Sequence, residues 1–368
     1  MKIVEVDKKL IKAFVNFPSE LYKNDPNFVP YMLADQTKVL KKLLLKDKTY
    51  TALLAIDGKK VFARVLFTVD KNKQLHTQKC GFFSMFECVN DQNVCNLLLD
   101  EMKRRLVAMG AEYISGTYFP FDQDNRRGIL IEGFHRPPLI FTSYNFPYYN
   151  NLLVNYGMEK QTDALEYTLD RNNADVSRLT RLSAFSQKRF DFHVDTLDWK
   201  NLDRDIDDFY QVMLEATNEI IYQDAPSKEA LYNIASQWKM YLNRDFILIA
   251  RTNDGNKPIG VAMALPDFFQ VFRKMRGKLD LKGICVFLRE RKKIKSIRGI
   301  LQYVIPEYQS KGAVVALYEG MLHAVDKHKI EYVEAGTIME ANTKSNRAIQ
   351  ALGGSISHRY RIYYSKLV

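Results

Sequence analysis

The stretch from Arg298 to Leu317 combines residue types suited to binding a phosphate group. An apolar strand is predicted over 300–305, Pro306 begins a turn, and a helix is predicted to start near Gly312. The first amides of a helix have no partner within it, and the helix dipole adds about half a positive charge there. Lys311 contributes a full charge, and Gly312 would let the backbone approach an anion closely. The pattern predicts a diphosphate site, although an ordinary strand–turn–helix of an α/β core shares this local signature.

The rest of the chain contains the elements that must position this loop. Each half is predicted to follow the order strand, two helices, hairpin, strand, helix, strand, helix, strand. Three residues of the first half recur 196 positions later, so that Asn150, Gly157 and Tyr167 match Asn346, Gly353 and Tyr363. The repetition predicts two copies of one α/β fold, with a mixed sheet in each. We expect one domain at 1–170, a helical connector at 171–189 and a second domain at 190–368.

Length and composition agree with a folded protein of two domains. The chain has 368 residues, of which 46% are hydrophobic and 26% charged. The four cysteines have no metal-ligand spacing, so we expect reduced thiols and no metal. The sequence shows no apolar run long enough to span a membrane and no signal-peptide pattern at its N-terminus. These observations favour a soluble, cytoplasmic protein without a membrane partner.

Several motifs resemble the GNAT superfamily of acyl-CoA N-acyltransferases. The segment 306–313 looks like the loop with which that superfamily holds the coenzyme A pyrophosphate; Gln309 and Gly312 match the pattern and Val314 departs from it. Over nearly its whole length the chain is also similar to a bacterial family of tandem GNAT proteins. The segments that carry this likeness are Gly81-Phe82-Phe83, Gly133-Phe134, Leu265-Pro266-Asp267, Glu340 with Asn342, and Gly353-Gly354.

The resemblance implies a sheet that splays where the pantetheine arm of acyl-CoA enters. The donor site is expected in the second half, because the matching stretch of the first half, 86–94, has two acids and no glycine. The first half is then structural or shapes the acceptor cleft. The coenzyme-binding residues that the resemblance implies are Gln302, Val304, Gln309, Ser310, Lys311, Gly312, Ala313, Val314 and Asn342.

Acyl transfer to an amine also requires a base, hydrogen-bond donors for the oxyanion and an acid for the leaving thiolate. By the same resemblance, main-chain groups of 302–304 would polarise the thioester carbonyl. Glu334 and Glu340 are the candidate bases, and each has a solvated strand-end carboxylate as its alternative reading. Tyr303 or Tyr318 is the candidate acid, because Ile349 stands where the superfamily commonly has a tyrosine.

The net charge of +11 is concentrated in residues 273–298, where eleven Lys or Arg stand against two acids, a local charge of +9. Such a segment suits the phosphates of coenzyme A or the acceptor end of an RNA, and a solvated helix face is the alternative. The sequence provides no Ser-His-Asp order, metal-ligand spacing or Walker loop.

Three functions therefore remain open. The first is an acyl-CoA-dependent N-acyltransferase, most simply an acetyltransferase, in which a small-molecule or peptide amine attacks the donor directly. The second is a tRNA-dependent aminoacyl transferase, which the basic segment favours. The third is a non-catalytic acyl-CoA-binding protein, which the departures at Val314 and Ile349 favour.

Overall fold

The structure is a computed structural model that describes residues 1–30, 32–47, 50–75, 78–118, 127–173, 175–217, 227–239, 242–277 and 280–367. Parts of several predicted segments lie outside these residues. They include 119–126 of an aromatic loop predicted over 119–149, 174 of the connector, 218–222 of a helix predicted over 203–222, 240–241 of a helix predicted over 227–242 and 278–279 of the basic segment.

One continuous mixed sheet of thirteen strands forms the centre of the molecule. The strands are β1 (Lys2–Glu5), β2 (Tyr50–Asp57), β3 (Lys60–Leu75), β4 (Gln78–Cys88), β5 (Tyr113–Gly116), β6 (Ile129–Glu132), β7 (Glu159–Asp170), β8 (Phe192–Thr196), β9 (Ile247–Thr252), β10 (Pro258–Pro266), β11 (Ser296–Val304), β12 (Tyr332–Met339) and β13 (Ser355–Lys366). Their order across the sheet is β1-β2-β3-β4-β5-β13-β7-β12-β11-β10-β9-β8, and β6 pairs with β13. The predicted α/β class with mixed strand directions is confirmed, whereas the prediction of a separate sheet in each half is wrong, because β7 and β13 join the halves into one sheet.

Helices connect these strands in the predicted order, except that two further helices lie between β10 and β11 and that β6 lies in a stretch predicted to be irregular. Those in the described residues are α1 (Ile11–Leu21), α2 (Leu33–Lys41), α3 (Gln92–Ala108), α4 (Tyr149–Asn155), α5 (Val176–Phe190), α6 (Leu202–Thr217), α7 (Lys228–Trp238), α8 (Phe269–Met275), α9 (Leu281–Glu290), α10 (Ala313–Lys327) and α11 (Thr343–Ala351). Among them none is long and apolar enough to cross a membrane.

The two halves exchange their last strands. β7 ends the first half but pairs with β12 of the second, whereas β13 at the C-terminus pairs with β5 of the first. The repeated Asn–Tyr pairs are therefore completed between halves. The Tyr167 hydroxyl donates to Asn346 Oδ1 at 3.0 Å, and the Tyr363 hydroxyl donates to Asn150 Oδ1. Two units that look separate in the sequence are interlocked in the fold.

The segment predicted as a connector is packed into the second half. Its helix α5 begins at Val176 rather than at the start of the predicted segment, and it lies against α10. Ser186 of α5 is so close to Gly312 that a Cβ on residue 312 would lie 2.1 Å from the serine Oγ. This helix therefore helps to position the start of α10. The division at 170 and 190 stays a prediction.

The exchanged strands predict strong thermodynamic coupling between the halves. We expect the intact chain to unfold in a single urea transition, followed by circular dichroism, because each half lacks a central strand without the other. A chain that ends at Gly354 loses β13, so β5 and β7 both lose a neighbour, and we expect it not to fold. A control chain that begins at Asp7 loses only the edge strand β1 and should stay folded. Two separate transitions in the intact chain would contradict the coupling.

Candidate functional site

The strands β11 and β12 diverge in the middle of the sheet. They pair in parallel only where 296–299 lies beside 332–335. Beyond that point β11 continues along β10 to Val304, while β12 remains with β7 and shifts register between Ala335 and Ile338. The facing backbone edges of 300–304 and 336–339 are thus not joined to each other. This gap is the splay that the resemblance implied, and an extended ligand can add to it as a strand does.

A cavity of ≈ 250 Å³ opens between the diverging strands under α10 and α11. Most of its side chains are apolar: Leu169, Leu179, Met263, Leu301, Met321, Leu322, Val325, Val333, Ile338, Ile349 and Leu352. Gln302, Tyr303 and Asn342 of the predicted site also line it. Such a lining suits a linear, largely apolar ligand oriented by few polar groups.

The predicted phosphate loop follows directly after the cavity-lining end of β11. Gly312 is the N-cap of α10 with φ +78, and no side chain caps this helix start. The first amides of α10 therefore retain the unsatisfied donors on which the prediction depends. Gly312 is needed for its left-handed backbone and for the approach of Ser186, which the sequence did not reveal.

The side chains of the loop are partly engaged with the protein itself. Gln309 Nε2 donates to the Val304 carbonyl at 3.4 Å. Lys311 Nζ donates to Glu307 Oε1 at 3.0 Å and lies 4.2 Å from the centre of the Tyr308 ring. The remaining loop residues differ in exposure: Ser310 is exposed, Val314 half-buried and Ala313 buried.

Polar side chains that line the cavity are held by neighbouring residues. The Tyr318 hydroxyl donates to Gln302 Oε1 at 2.6 Å, and burial raises the pKa of this tyrosine. Asn342 Oδ1 accepts from the Ser345 amide at 3.1 Å and so caps α11. Tyr303 lines the cavity on β11, opposite Val261 of β10. Tyr318 is thus neutral at physiological pH, and its hydroxyl is fixed beside the cavity by Gln302.

A buried ion pair lies where the strands begin to diverge. Arg298 Nε is 3.1 Å from Glu166 Oε1, and both side chains are fully buried. The same guanidinium donates to the carbonyls of Gly336 and Ile140, at 2.8 Å each. Burial raises the pKa of Glu166, and the charge of Arg298 opposes that shift. Arg298 therefore ties β12 to β7 and fixes the bend at Gly336.

Glu334 belongs to the same polar cluster and not to the cavity wall. Its neighbours Val333 and Ala335 line the cavity, so its side chain projects from the other face of the sheet. The Thr168 hydroxyl donates to Glu334 Oε2 at 2.5 Å, and Arg136 Nη1 donates to the same threonine oxygen at 2.6 Å. Burial, with a smaller contribution from nearby carboxylates, raises the pKa of Glu334 to about 7. A carboxylate with this pKa suits proton transfer near neutral pH.

Glu340, the second candidate base, has a different environment. Its Oε2 accepts from Lys160 Nζ at 2.9 Å, and its Oε1 accepts from the Asp163 amide at 3.0 Å. These contacts join the end of β12 to β7 at a partly exposed position. The arrangement favours a structural role for Glu340 and leaves Glu334 as the better base.

His358 lies near the buried polar cluster that contains Arg298 and Glu334, and the sequence analysis did not identify it. Its ring is buried, and within the described residues its Nε2 has no hydrogen-bond partner. Burial, reinforced by the charge of Arg136, lowers its pKa to about 4, so the ring is neutral at physiological pH. The available signal was a histidine at an apolar position, because His358 interrupts the even-numbered series Ile356, Tyr360 and Ile362. The described residues contain no group of three or more His, Cys, Asp or Glu side chains arranged to hold a metal.

Within the described residues, the backbone edge of the first half that corresponds to the gap is engaged by a tyrosine side chain. β4 and β5 also diverge after a short parallel pairing, but the Cys88 amide at the end of β4 donates to the Tyr149 hydroxyl at 3.1 Å. Asp91 caps α3 by accepting from two backbone amides, at 2.9 and 3.3 Å. A carboxylate thus stands where a phosphate would have to bind, which supports placing the donor site in the second half.

Two curated proteins are similar to this chain over nearly their whole lengths, whereas no protein-family model matches it. The chain is 26% identical to Protein YghO of Escherichia coli (strain K12), over 98% of this chain and 94% of that protein. It is 22% identical to the bacterial ceramide synthase of Caulobacter vibrioides, over 97% of this chain and 95% of that protein.

Solved structures with the same architecture include a tandem GNAT protein from the clavulanic acid biosynthesis pathway. It aligns with a TM-score of 0.56 and 10% identity, over 100% of this chain and 98% of that protein. The GCN5-related glucosamine N-acetyltransferase region of a fungal multi-domain β-N-acetylglucosaminidase aligns with a TM-score of 0.59 and 11% identity. That alignment covers 99% of this chain but only 38% of the larger protein. At such identities these matches establish the fold alone.

Proposed function

The chain has the tandem fold of the GCN5-related N-acetyltransferases, and from this premise we propose that it transfers an acyl group from acyl-CoA to an amine. The observation that carries the proposal is the continuity between the uncapped start of α10 and the apolar gap between β11 and β12. The first would hold the diphosphate of coenzyme A and the second its pantetheine arm and acyl group. The relative named as a ceramide synthase is, by that name, an amide-forming enzyme.

Each proton transfer of the proposed reaction is assigned to one side chain. The amine nitrogen attacks the thioester carbon, the C–S bond breaks, and no covalent bond to the protein forms. Glu334 lies on the sheet face opposite the cavity wall, so the amine would approach the thioester carbon through the gap from that face. Glu334 then accepts the proton that the amine loses, because its pKa of about 7 permits both protonation states near neutral pH. Backbone amides of 302–304 polarise the carbonyl, and Tyr318, or Tyr303 in its place, supplies a proton to the departing thiolate.

The length of the acyl group is the open part of this proposal. Acetyl is the simplest donor group, but the apolar wall extends past the gap to Val325 of α10 and Leu179 of α5. A wall of this kind favours a longer hydrocarbon chain, because each buried methylene contributes about 0.8 kcal/mol. A series of acyl-CoA donors of increasing length, compared by kcat/KM, shows whether acetyl or a longer acyl group is the preferred donor group.

Reversing the charge of Lys311 tests the donor site. Coenzyme A at about 100 times its dissociation constant adds about 2.7 kcal/mol to stability, which corresponds to a rise in Tm of about 3 °C for a chain of this size. We expect Lys311→Glu to reduce this shift to about 1 °C or less, because a charge-assisted contact is replaced by repulsion. The measurement is a thermal-shift titration with coenzyme A.

Lys282→Glu is the matched control, because it makes the same charge change on α9, away from the cavity, and should leave the shift intact. An unchanged shift in Lys311→Glu would contradict the proposed diphosphate site. A shift produced by tRNA and not by coenzyme A would favour the aminoacyl-transferase alternative. A coenzyme A shift without release of thiol, with any amine or acyl length, would favour the non-catalytic binding protein.

A further inference from the structure

The basic segment contains a helix that is anchored by one face only. α8 and α9 form a hairpin between β10 and β11, and the inner face of α9 packs through Phe287, whose ring centre is 5.9 Å from that of Phe268. The same apolar cluster includes Ile140, whose carbonyl accepts from Arg298 and whose amide donates to Asp267. The α8–α9 hairpin therefore lies against the loop that contains Ile140, next to the buried polar cluster that contains Arg298.

The outer face of α9 is apolar. Leu281 is 84% exposed, Ile284 44% and Leu288 50%, and the spacing of three and four residues places them on one side of the helix. A surface helix of a water-soluble protein usually presents polar side chains on this side. The acyl-transfer proposal gives no role to these three residues.

Cations lie beside this apolar stripe. Lys282 and Arg289 are on α9 itself, Arg291 follows the end of the helix with its guanidinium over the Phe287 ring, and all three residues are exposed. The two acids of the segment are both engaged: Asp280 caps α9, and Glu290 is buried and pairs with Lys274, Arg289 and Lys293. The outward charge is therefore strongly positive.

We propose that α9 is a membrane-surface helix, which places Leu281, Ile284 and Leu288 among the acyl chains of an anionic bilayer and its cations at the headgroups. An apolar stripe flanked by Lys and Arg is the pattern of helices that lie in the plane of a bilayer. An RNA backbone would bind the cations but would leave the three apolar side chains exposed to water. The inference concerns surface attachment, does not require a membrane span, and does not depend on the proposed acyl transfer.

Flotation of the full chain with vesicles tests the proposal. We expect binding to phosphatidylcholine vesicles that contain phosphatidylglycerol to be about tenfold or more tighter than to phosphatidylcholine alone, and to weaken with salt. The triple variant Leu281→Ser, Ile284→Ser, Leu288→Ser should bind the anionic vesicles about tenfold or more weakly, although its charge is unchanged. The matched control Leu97→Ser, Val107→Ser, Val154→Ser alters three other exposed apolar side chains and should bind as the native chain does.

A fluorescent probe on Cys285 gives an independent readout that does not depend on these substitutions. This cysteine is exposed on α9, whereas Cys80, Cys88 and Cys95 are buried, so it can be labelled selectively. We expect a blue shift of the probe emission with anionic vesicles. Vesicle binding that is equal in the two triple variants, or a probe that stays in water while the protein floats, would overturn the proposal. Binding of tRNA that is unaffected by the α9 triple variant, without vesicle binding, would make the segment an RNA interface.

Discussion

Glu334→Gln is expected to lower kcat for acyl transfer by about 10²–10⁴-fold, the usual contribution of a positioned general base. Glutamine keeps the size of the side chain but cannot accept the proton of the attacking amine. The thermal shift with coenzyme A should be unchanged, because Glu334 projects from the sheet face opposite the cavity wall. The measurement is thiol release from acyl-CoA with and without an amine acceptor.

The pH dependence adds a second signature of Glu334. With a pKa of about 7, the native enzyme should gain kcat/KM as pH rises through that value, and Glu334→Gln should lose this limb. The stability changes in the opposite direction. The folded-state pKa lies above the unfolded value, so the stabilisation is complete below about pH 4.5 and is lost as pH rises through about 7. Glu334→Gln should therefore be at least as stable as the native chain at about pH 8.

Glu340→Gln is the matched control for these experiments. It makes the same chemical change four residues after the bend at Gly336, at a partly exposed carboxylate paired with Lys160. Its activity should remain close to that of the native chain. If Glu334→Gln kept full activity and the same pH profile, the base would have to be another group, and His358 would be the next candidate.

Arg298→Met is expected to destabilise the protein by about 3–5 kcal/mol, the cost of leaving one charge of a buried pair without its partner. Glu166 is fully buried, and the bend at Gly336 and the loop at Ile140 would also lose their donor. Without the arginine, the pKa of Glu166 rises further. The loss should therefore be larger at about pH 8 than at about pH 6, because a raised folded-state pKa removes stability as pH increases. Urea denaturation at both pH values measures it.

Two further variants make the result of Arg298→Met specific. The double variant Arg298→Met, Glu166→Gln removes both charges and should recover a substantial part of the lost stability. Arg104→Met breaks an exposed pair, since the Arg104 side chain is 67% exposed beside Glu101, and should cost far less stability because water and salt screen the two charges. A loss in Arg298→Met no larger than that in Arg104→Met would contradict the structural role of the buried pair.

The sequence predicted the elements because they depend on local patterns, and the phosphate loop, which is inferred from the same kind of pattern, stays a prediction. Hydrophobic periodicity gave the repeated order of strands and helices, and the glycine at 312 follows from the backbone that starts α10. The exchange of β7 and β13 could not be predicted in this way. It depends on which strand lies beside β5, and its pairing joins residues far apart in the chain.

The candidate site could be predicted only in part for the same reason, because its contacts join residues far apart in the chain. Arg298 looked like one cation of a basic segment, yet its partner Glu166 lies 132 residues away on another strand and buries it completely. Glu334 and Glu340 were equivalent candidates in the sequence. They differ in the structure because β7 places Thr168 opposite the first and the Asp163 amide beside the second. The partner strand therefore determines which carboxylate is suited to act as a base.

A crystal structure of the chain with coenzyme A tests the central claim most directly. We predict the diphosphate at the backbone amides of 310–314 and the pantetheine arm between 300–304 of β11 and 336–339 of β12. A structure obtained at saturating coenzyme A in which this gap holds no ligand, or in which the coenzyme binds elsewhere, would contradict the account.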